Sequence, residues 1–250
     1  ISSAASFNGL LPCSLKPTPD SACGVRGGEQ RTPPRRQASS EMVSIGVDLG
    51  GTHCLAVLMA PDGAILARAH SPISASDRSS EETIGSVLRG CILRSWRQAA
   101  PGSVLRGVGV AIPGNVDPAR GFTRYLPNFG WLTPVDLTAL ILDRPASSES
   151  PAPLREQLGV ECVHMRNDGR CAALAERHFG VGAGGGHPTM AMLTLGTGIG
   201  GALIHGPGGD IFDGCTCDAG DFGHHVIRSG AEAFACVCGN RGCFECHASA

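Results

Sequence analysis

From Met42 onward, apolar residues settle into a strand-like beat: Val43, Ile45 and Val47 fall on one face, the two-residue period of a half-buried β-strand. Gly50-Gly51 then breaks the run, and Cys54 to Met59 predicts a second strand. Pro61-Asp62-Gly63 turns the chain into a third, Ala64 to Ala69, so three consecutive antiparallel strands are expected. The period changes after Ser79. Ser79 and Glu82 have the spacing of a capping box, and Ile84, Val87, Leu88, Cys91, Ile92 and Trp96 share one helical stripe that stops before Pro101-Gly102. This helix is expected to pack on the sheet. Val108 to Ile112 predicts another strand, closed by Pro113-Gly114.

Residues 144 to 153 are rich in Pro, Ser and Ala and read as a loop or hinge. A second unit follows, with a strand at Val160 to Met165, a helix at Asp168 to Phe179, and strands at Thr189 to Leu195 and Ile199 to Ile204 around a glycine-rich hairpin. Residues 1 to 41 lack either period and carry scattered Pro, Ser, Gly and Arg. They are expected to be a disordered or spurious N-terminal extension, Met42 standing directly before the first clean strand. Asp20 and Glu29 interrupt what would otherwise resemble a transit peptide. The expected organisation is therefore 1–41 as extension, 42–143 as an N-terminal lobe and 144–250 as a partial C-terminal lobe. A chain of 250 residues suits two lobes, each with its own core.

Composition narrows the classes. Hydrophobic residues make up 42% and charged ones 17%, a balance that fits a folded globular protein and not a disordered tail. The net charge of −2 provides no basic field for nucleic acid or an anionic membrane. No apolar run approaches the roughly 20 residues of a membrane-spanning helix. A small neutral or anionic ligand is the expected partner, with no nucleic acid and no membrane, and the expected location is cytoplasmic. The 36 glycines favour tight turns and close backbone approach. The 12 cysteines bunch toward the C-terminus, which metal binding explains better than a disulfide scaffold does.

Two glycine turns carry candidate phosphate chemistry. In Asp48-Leu49-Gly50-Gly51-Thr52, backbone N–H groups can approach phosphate oxygens unobstructed, with the Thr52 hydroxyl as a further donor. Asp48 at the strand end would hold Mg²⁺ through water. The second turn, Gly196-Thr197-Gly198-Ile199-Gly200-Gly201, lies between two strands. It lacks both the lysine of a P-loop and the strand-to-helix setting of a dinucleotide fingerprint. Each turn alone also suits a plain hairpin; two of them, one per lobe, suit a nucleotide between lobes. Near the end, Cys236, Cys238 and Cys243 place three thiolates within a short glycine-containing stretch, and His224 upstream can complete a tetrahedral set. Four protein ligands make a structural zinc site rather than a catalytic one.

Taken in order, Asp48-Leu-Gly-Gly-Thr52, Pro127-Asn128, Asn167-Asp168, the Gly196 turn, Ala219-Gly-Asp221-Phe-Gly-His224 and Cys236-x-Cys-Gly-x-x-Gly-Cys243-x-Glu245 resemble the ROK family. That family comprises bacterial glucokinases, related hexose and N-acetylhexosamine kinases, and sugar-responsive repressors. The resemblance runs from about Met42 to Ala250. It implies a two-lobed actin-like, ribonuclease-H-like ATPase fold of the α/β class, with the second lobe truncated at the C-terminus. ATP with Mg²⁺, a sugar and a structural Zn²⁺ are the implied ligands, and the self-association left open is a homodimer or homotetramer.

By the same resemblance Asp168 is the general base that takes the sugar hydroxyl's proton. Gly50, Gly51, Thr52, Gly196, Thr197 and Gly198 meet ATP, with Asp48 on Mg²⁺. Asn128, Asn167, Asp168, Asp221, His224 and Glu245 hold the sugar. The family carries Glu where this chain has Asp221, one methylene shorter. The implied reaction is phosphorylation of a hexose at its 6-hydroxyl, glucose first, as in glycolysis. An N-acetylhexosamine or other hexose kinase is the alternative, as is a sugar-responsive regulator, although residues 1 to 41 show no helix-turn-helix. Family members continue past the cysteine motif, so the chain ending at Ala250 is expected to lack the adenine-side wall, expose apolar strands and show little activity by itself.

Overall fold

The first elements of the computed structural model follow the strand beat closely. It describes residues 41–147, 150–184 and 187–249; the expected disordered or spurious extension at 1–41 lies, but for Glu41, outside the described residues. Strands β1 (Met42–Leu49), β2 (His53–Met59) and β3 (Ile65–Pro72) pair antiparallel in sequence order. A short helix α1 (Ala75–Arg78) and the long α2 (Glu81–Trp96) follow.

The capping box occurs one helix earlier than expected. It joins Ser74 to Asp77 at the start of α1, whereas Ser79 has helical backbone (φ −76°, ψ −12°) and closes that helix. Ser80 is extended (φ −112°, ψ 112°), and its hydroxyl accepts the Thr83 N–H at 3.2 Å to open α2. An N-cap needs non-helical backbone so that its side chain can turn back on the first free N–H groups, which excludes Ser79. Glu82 instead pairs with Arg89 at 2.6 Å.

Strand β4 (Val104–Ile112) begins earlier than the apolar run, and runs parallel to β1 with Asp48 opposite Ala111. A small sheet follows, made of β5 (Asn115–Asp117), β6 (Phe122–Tyr125) and β7 (Val135–Asp136), and then α3 (Leu137–Leu142). The segment read as a hinge is a two-stranded ribbon, β8 (Pro145–Ser147) and β9 (Ser150–Pro153), leading into α4 (Leu154–Leu158). Strand β10 (Val163–Asn167) then pairs parallel with β4, Asn167 opposite Ile112. The first sheet thus has the order β10-β4-β1-β2-β3, and its fifth strand comes from beyond residue 144.

Helix α5 (Asp168–Phe179) has the bounds its sequence predicts and starts directly at the end of β10, which begins and ends later than the expected Val160 to Met165. The strands β11 (Thr189–Leu195) and β12 (Ile199–His205) form the expected hairpin, joined by β13 (Asp210–Ile211), and α6 (Phe244–Ala248) is the last helix. One face of the large sheet packs on α2 and α3 through Ile45, Val47, Ile84, Leu88, Ile92, Leu137 and Ile141, all buried. A fully buried aliphatic side chain contributes about 1.5–3 kcal/mol, so this layer is the main anchor. On the opposite face Cys171 of α5 meets Val57, Met59 and Ala111. Ala173 and Leu174 of α5 contact Ala202 and Ile204 of β12. Helix α5 therefore lies between the two sheets, with its N-terminus where three parallel strands end.

Candidate active site

The parallel strands β1, β4 and β10 end side by side at Asp48, Ile112 and Asn167, and ligand crevices in parallel sheets form beyond such carboxyl ends. Asn167 is the N-cap of α5. Its Oδ1 accepts the Arg170 N–H at 3.2 Å and its Nδ2 donates to the Gly114 carbonyl at 3.2 Å. The end of β10 is thereby tied to the turn after β4. Asp168 occupies the first helical turn, where the macrodipole favours a carboxylate, and its Oδ1 accepts the Gly169 N–H at 2.8 Å.

A cavity of about 490 Å³ opens here. Of the residues expected at a site, Asn128, Asn167, Asp168, Gly196, Thr197, Gly198, Asp221, His224 and Glu245 line it. The Asp48 turn does not: Gly50 N–H bonds the His53 carbonyl at 2.8 Å and the Thr52 hydroxyl lies 3.2 Å from the His53 ring, closing a tight loop at the carboxyl end of β1. Pro113, Gly114, Asn115, Tyr125, Ala172, Thr194 and Val237 also line the cavity, and none of these had a place in a site expected from sequence. The available signal was topological: Pro113-Gly114 ends a strand neighbouring the one that ends at Asp48.

Carboxylates dominate the electrostatics. Asp168 is exposed to the cavity yet crowded by protein, and this partial exclusion of water raises its pKa above the ordinary carboxylate range. The Gly169 N–H opposes the shift, while the charges of Asp48 and Asp221 add to it. Asp221 is likewise raised, chiefly by burial, with Arg170 and His224 pulling it back. A site holding several carboxylates so close together favours hydroxyl donors and cations over anions, and a proton acceptor held above its usual pKa is a better base near neutrality.

Close backbone packing sets the far wall. Glu245 on α6 accepts the Ile199 N–H at 2.7 Å, gripping the turn between β11 and β12. A Cβ on Gly198 would stand 2.6 Å from that carboxylate, and one on Gly201 would meet the Phe222 ring at 2.5 Å. Glycine at these positions lets the 3₁₀ turn Phe222–His224 and α6 lie directly against β12.

Behind this wall, His224, Cys236, Cys238 and Cys243 offer ligand atoms that all lie within 4.8 Å of one another. Cys238 Sγ lies 3.6 Å from Cys243 Sγ, and Cys236 Sγ lies 3.6 Å from His224 Nδ1. These are not disulfide distances, which are near ~2.05 Å. A tetrahedral zinc with Zn–S near ~2.3 Å and Zn–N near ~2.0 Å requires edges of roughly 3.8 Å and 3.5 Å; these two separations match, and with the remaining pairs within 4.8 Å the chemistry of the four residues suits such an ion. With Nδ1 turned to the thiolates, Nε2 is the ring nitrogen left to the cavity that His224 lines. Cys215, Cys217 and Cys246 are free but outside this set.

Comparison with known proteins places these features in context. The ROK family's sequence model matches residues 44–250. A glucokinase of Thermotoga maritima is 32% identical over 206 residues, covering 82% of this chain and 57% of its own length. A xylose repressor of Bacillus spizizenii is 27% identical over 208 residues, 82% of this chain and 47% of its own. Among solved structures, a ROK family glucokinase from Streptomyces griseus in complex with glucose and AMPPNP superposes with a TM-score of 0.60 at 29% identity, covering 83% of this chain and 57% of that one. The chain thus spans about half the length of such relatives.

Proposed function

We propose, from the premise that the chain belongs to the ROK family and has its mixed α/β, actin-like fold, that it carries the sugar site of an ATP-dependent hexose kinase acting on the 6-hydroxyl, with glucose the first candidate. The observation that carries this reading is Asp168, a carboxylate of raised pKa that lines the cavity at the head of α5 beside Asn167, Asp221, His224 and Glu245. Phosphoryl transfer needs a positioned hydroxyl and a proton acceptor more than a covalent group. In this reading Asp168 takes the hydroxyl proton as the sugar oxygen bonds to the γ-phosphorus of ATP, and the bond to the ADP oxygen breaks.

Asn128, Asn167, Asp221, His224 Nε2 and Glu245 orient the sugar. Gly50 and Gly196 commit their own N–H groups to the His53 and Gly198 carbonyls, shaping turns in which Thr197 and Gly198, and from the other loop Gly51 and Thr52, are the residues left to meet phosphates. Asp48 would hold Mg²⁺, which neutralises charge on the phosphates when bound. The four residues His224, Cys236, Cys238 and Cys243 would hold Zn²⁺, which fixes the His224 ring. We place the reaction in the cytoplasm, where ATP is available. The shorter Asp221 lengthens its reach to a hydroxyl and bears on substrate preference, including for N-acetylhexosamines.

The similarity to a xylose repressor over the same share of the chain supports a second reading, sugar sensing without catalysis. Incubating the chain, and in parallel the complete product of its gene, with ATP, Mg²⁺ and a hexose panel separates the two. Mass-spectrometric appearance of a hexose 6-phosphate with stoichiometric ADP is expected. Sugar binding without any phosphorylated product, together with a sugar-dependent DNA mobility shift, would establish the sensing function instead.

A further inference from the structure

Asn115 stands at the start of β5, directly after the Pro113-Gly114 turn, and is only 5% exposed. Its amide nitrogen is fully committed: Nδ2 faces the Thr216 carbonyl at 3.4 Å, the Cys217 carbonyl at 3.2 Å and Asp218 Oδ1 more closely. All three partners are acceptors. The orientation of the amide is therefore fixed, because a flip would set an oxygen against three oxygens. The other end, Oδ1, is buried and has no hydrogen-bond partner among the described residues, although Asn115 lines the cavity. A buried carbonyl oxygen without a donor is costly, and here it belongs to a residue of the cavity wall.

The neighbourhood reinforces the demand for a donor. Tyr125, paired with Asn115 across β5 and β6, also lines the cavity, and its hydroxyl donates to Asp218 Oδ1 at 3.4 Å. The loop presenting Asp218 is held from below, Arg170 Nη2 donating to the Cys217 and Ala219 carbonyls at 2.6 and 3.1 Å. Cys217 there adopts φ 60°, a left-handed conformation uncommon for a non-glycine residue. The loop is thus clamped on both sides, and Asn115 cannot turn Oδ1 back into it without losing the clamp.

We propose that Asn115 is a specificity-determining residue whose Oδ1 accepts a hydrogen bond from one donor group of the sugar, a hydroxyl or an acetamido N–H. This rests on the sugar reading of the cavity. A neutral sugar with a donor at that position is selected, and one with hydrogen or an ether there is rejected. An anionic substituent is rejected too, since Asp218 and Asp221 lie close by.

The test is calorimetric titration of the 250-residue chain and its Asn115→Ala variant with glucose, N-acetylglucosamine and each monodeoxyglucose. In the unaltered chain, removal of one particular hydroxyl is expected to weaken binding about tenfold, the scale of one net hydrogen bond. In Asn115→Ala the same removal should change binding by less than about twofold, while the other deoxy sugars lose equally in both proteins. N-acetylglucosamine shows whether an N–H can replace the hydroxyl. Equal losses for every deoxy sugar in both proteins would overturn the assignment while leaving the sugar site standing; an unaltered chain that binds none of the sugars would remove both. Should Asn115→Ala not fold, the side-chain amide resonances of Asn115 decide the matter in the unaltered chain: they should shift with glucose but not with the one deoxy sugar, and resonances indifferent to every bound sugar would sink the idea.

Discussion

Asp168 carries opposing demands that a single substitution can expose. The raised pKa means that the folded state favours the protonated form, so ionisation of Asp168 works against folding at neutral pH. The sign is checked by comparing states. Below the unfolded carboxylate pKa both forms are protonated and nothing is lost; as pH rises through the folded pKa the folded protein gives up that advantage. Asp168→Asn should therefore raise Tm at pH 7 and leave it nearly unchanged at pH 3, while lowering the proposed hexose phosphorylation by ~10² or more, the scale of a lost general base. Turnover within a few-fold of the original would remove Asp168 from the chemistry. Because Asp221 adds to the shift, Asp221→Asn should lower the pH at which the Asp168 carboxyl titrates by NMR; an unmoved or raised midpoint would contradict the electrostatic account. The pair Asn167-Asp168 was legible in the sequence through its resemblance to a family motif, next to the point where a helical stripe begins. Asn115 and Tyr125 were not, since an asparagine after Pro-Gly reads as an ordinary turn residue. Only the three-dimensional meeting with Thr216–Asp218 shows that one end of its amide is committed and the other is unpartnered.

Among the elements, the hairpin of β11 and β12 meets the 3₁₀ turn and α6 so closely that two glycines make contrasting predictions. A Cβ on Gly198 would press on the Glu245 carboxylate, the far end of a flexible side chain that can swing away. Gly198→Ala should thus cost stability under about 1 kcal/mol, yet weaken sugar binding because Glu245 leaves its bond to Ile199 N–H. Gly223→Ala is different. Its Cβ would overlap the Ile199 backbone carbonyl, which cannot move without disturbing β12, so a loss of about 2 kcal/mol or more is expected by denaturant unfolding. Equal stability losses for the two would show that the wall is looser than this packing implies. Strand and helix periods were legible over most of these elements, and β11, β12 and α5 lie where apolar spacing put them. The Ser79 cap misled because sequence spacing cannot report backbone conformation, and Ser79 and Ser80 differ in ψ rather than in chemistry. The Pro- and Ser-rich stretch 144–153 hid two short strands because prolines at Pro145 and Pro153 are tolerated on a two-stranded ribbon, where every strand is an edge.

At the scale of the whole molecule, the chain's organisation was only partly visible. A boundary near residue 144 suited the composition, yet β10 crosses it to complete the first sheet. Parallel pairing is non-local, and nothing in a five-residue apolar run says which sheet it joins. The cysteine cluster links distant parts in a way that spacing did indicate. His224 comes from the turn packed on β12, the three cysteines come from the loop before α6, and α6 carries Glu245 back to the glycine turn. Metal at this cluster would hold the sugar-side wall together, and its binding free energy would count toward the stability of that wall. Cys238 is exposed and does not line the cavity, so Cys238→Ser removes a ligand without creating a core void. The variant should lose zinc and sugar affinity together, because freeing His224 and α6 displaces two groups of the wall at once. The unaltered chain should contain close to one equivalent of zinc by elemental analysis, and a strong chelator should lower both its Tm and its sugar affinity. A well-folded chain with less than about half an equivalent of metal, measured against the four-ligand site expected for structural zinc, would refute the metal assignment. If Cys238→Ser loses the metal but keeps full sugar affinity, zinc binds there without shaping the cavity, and the coupling through His224 fails.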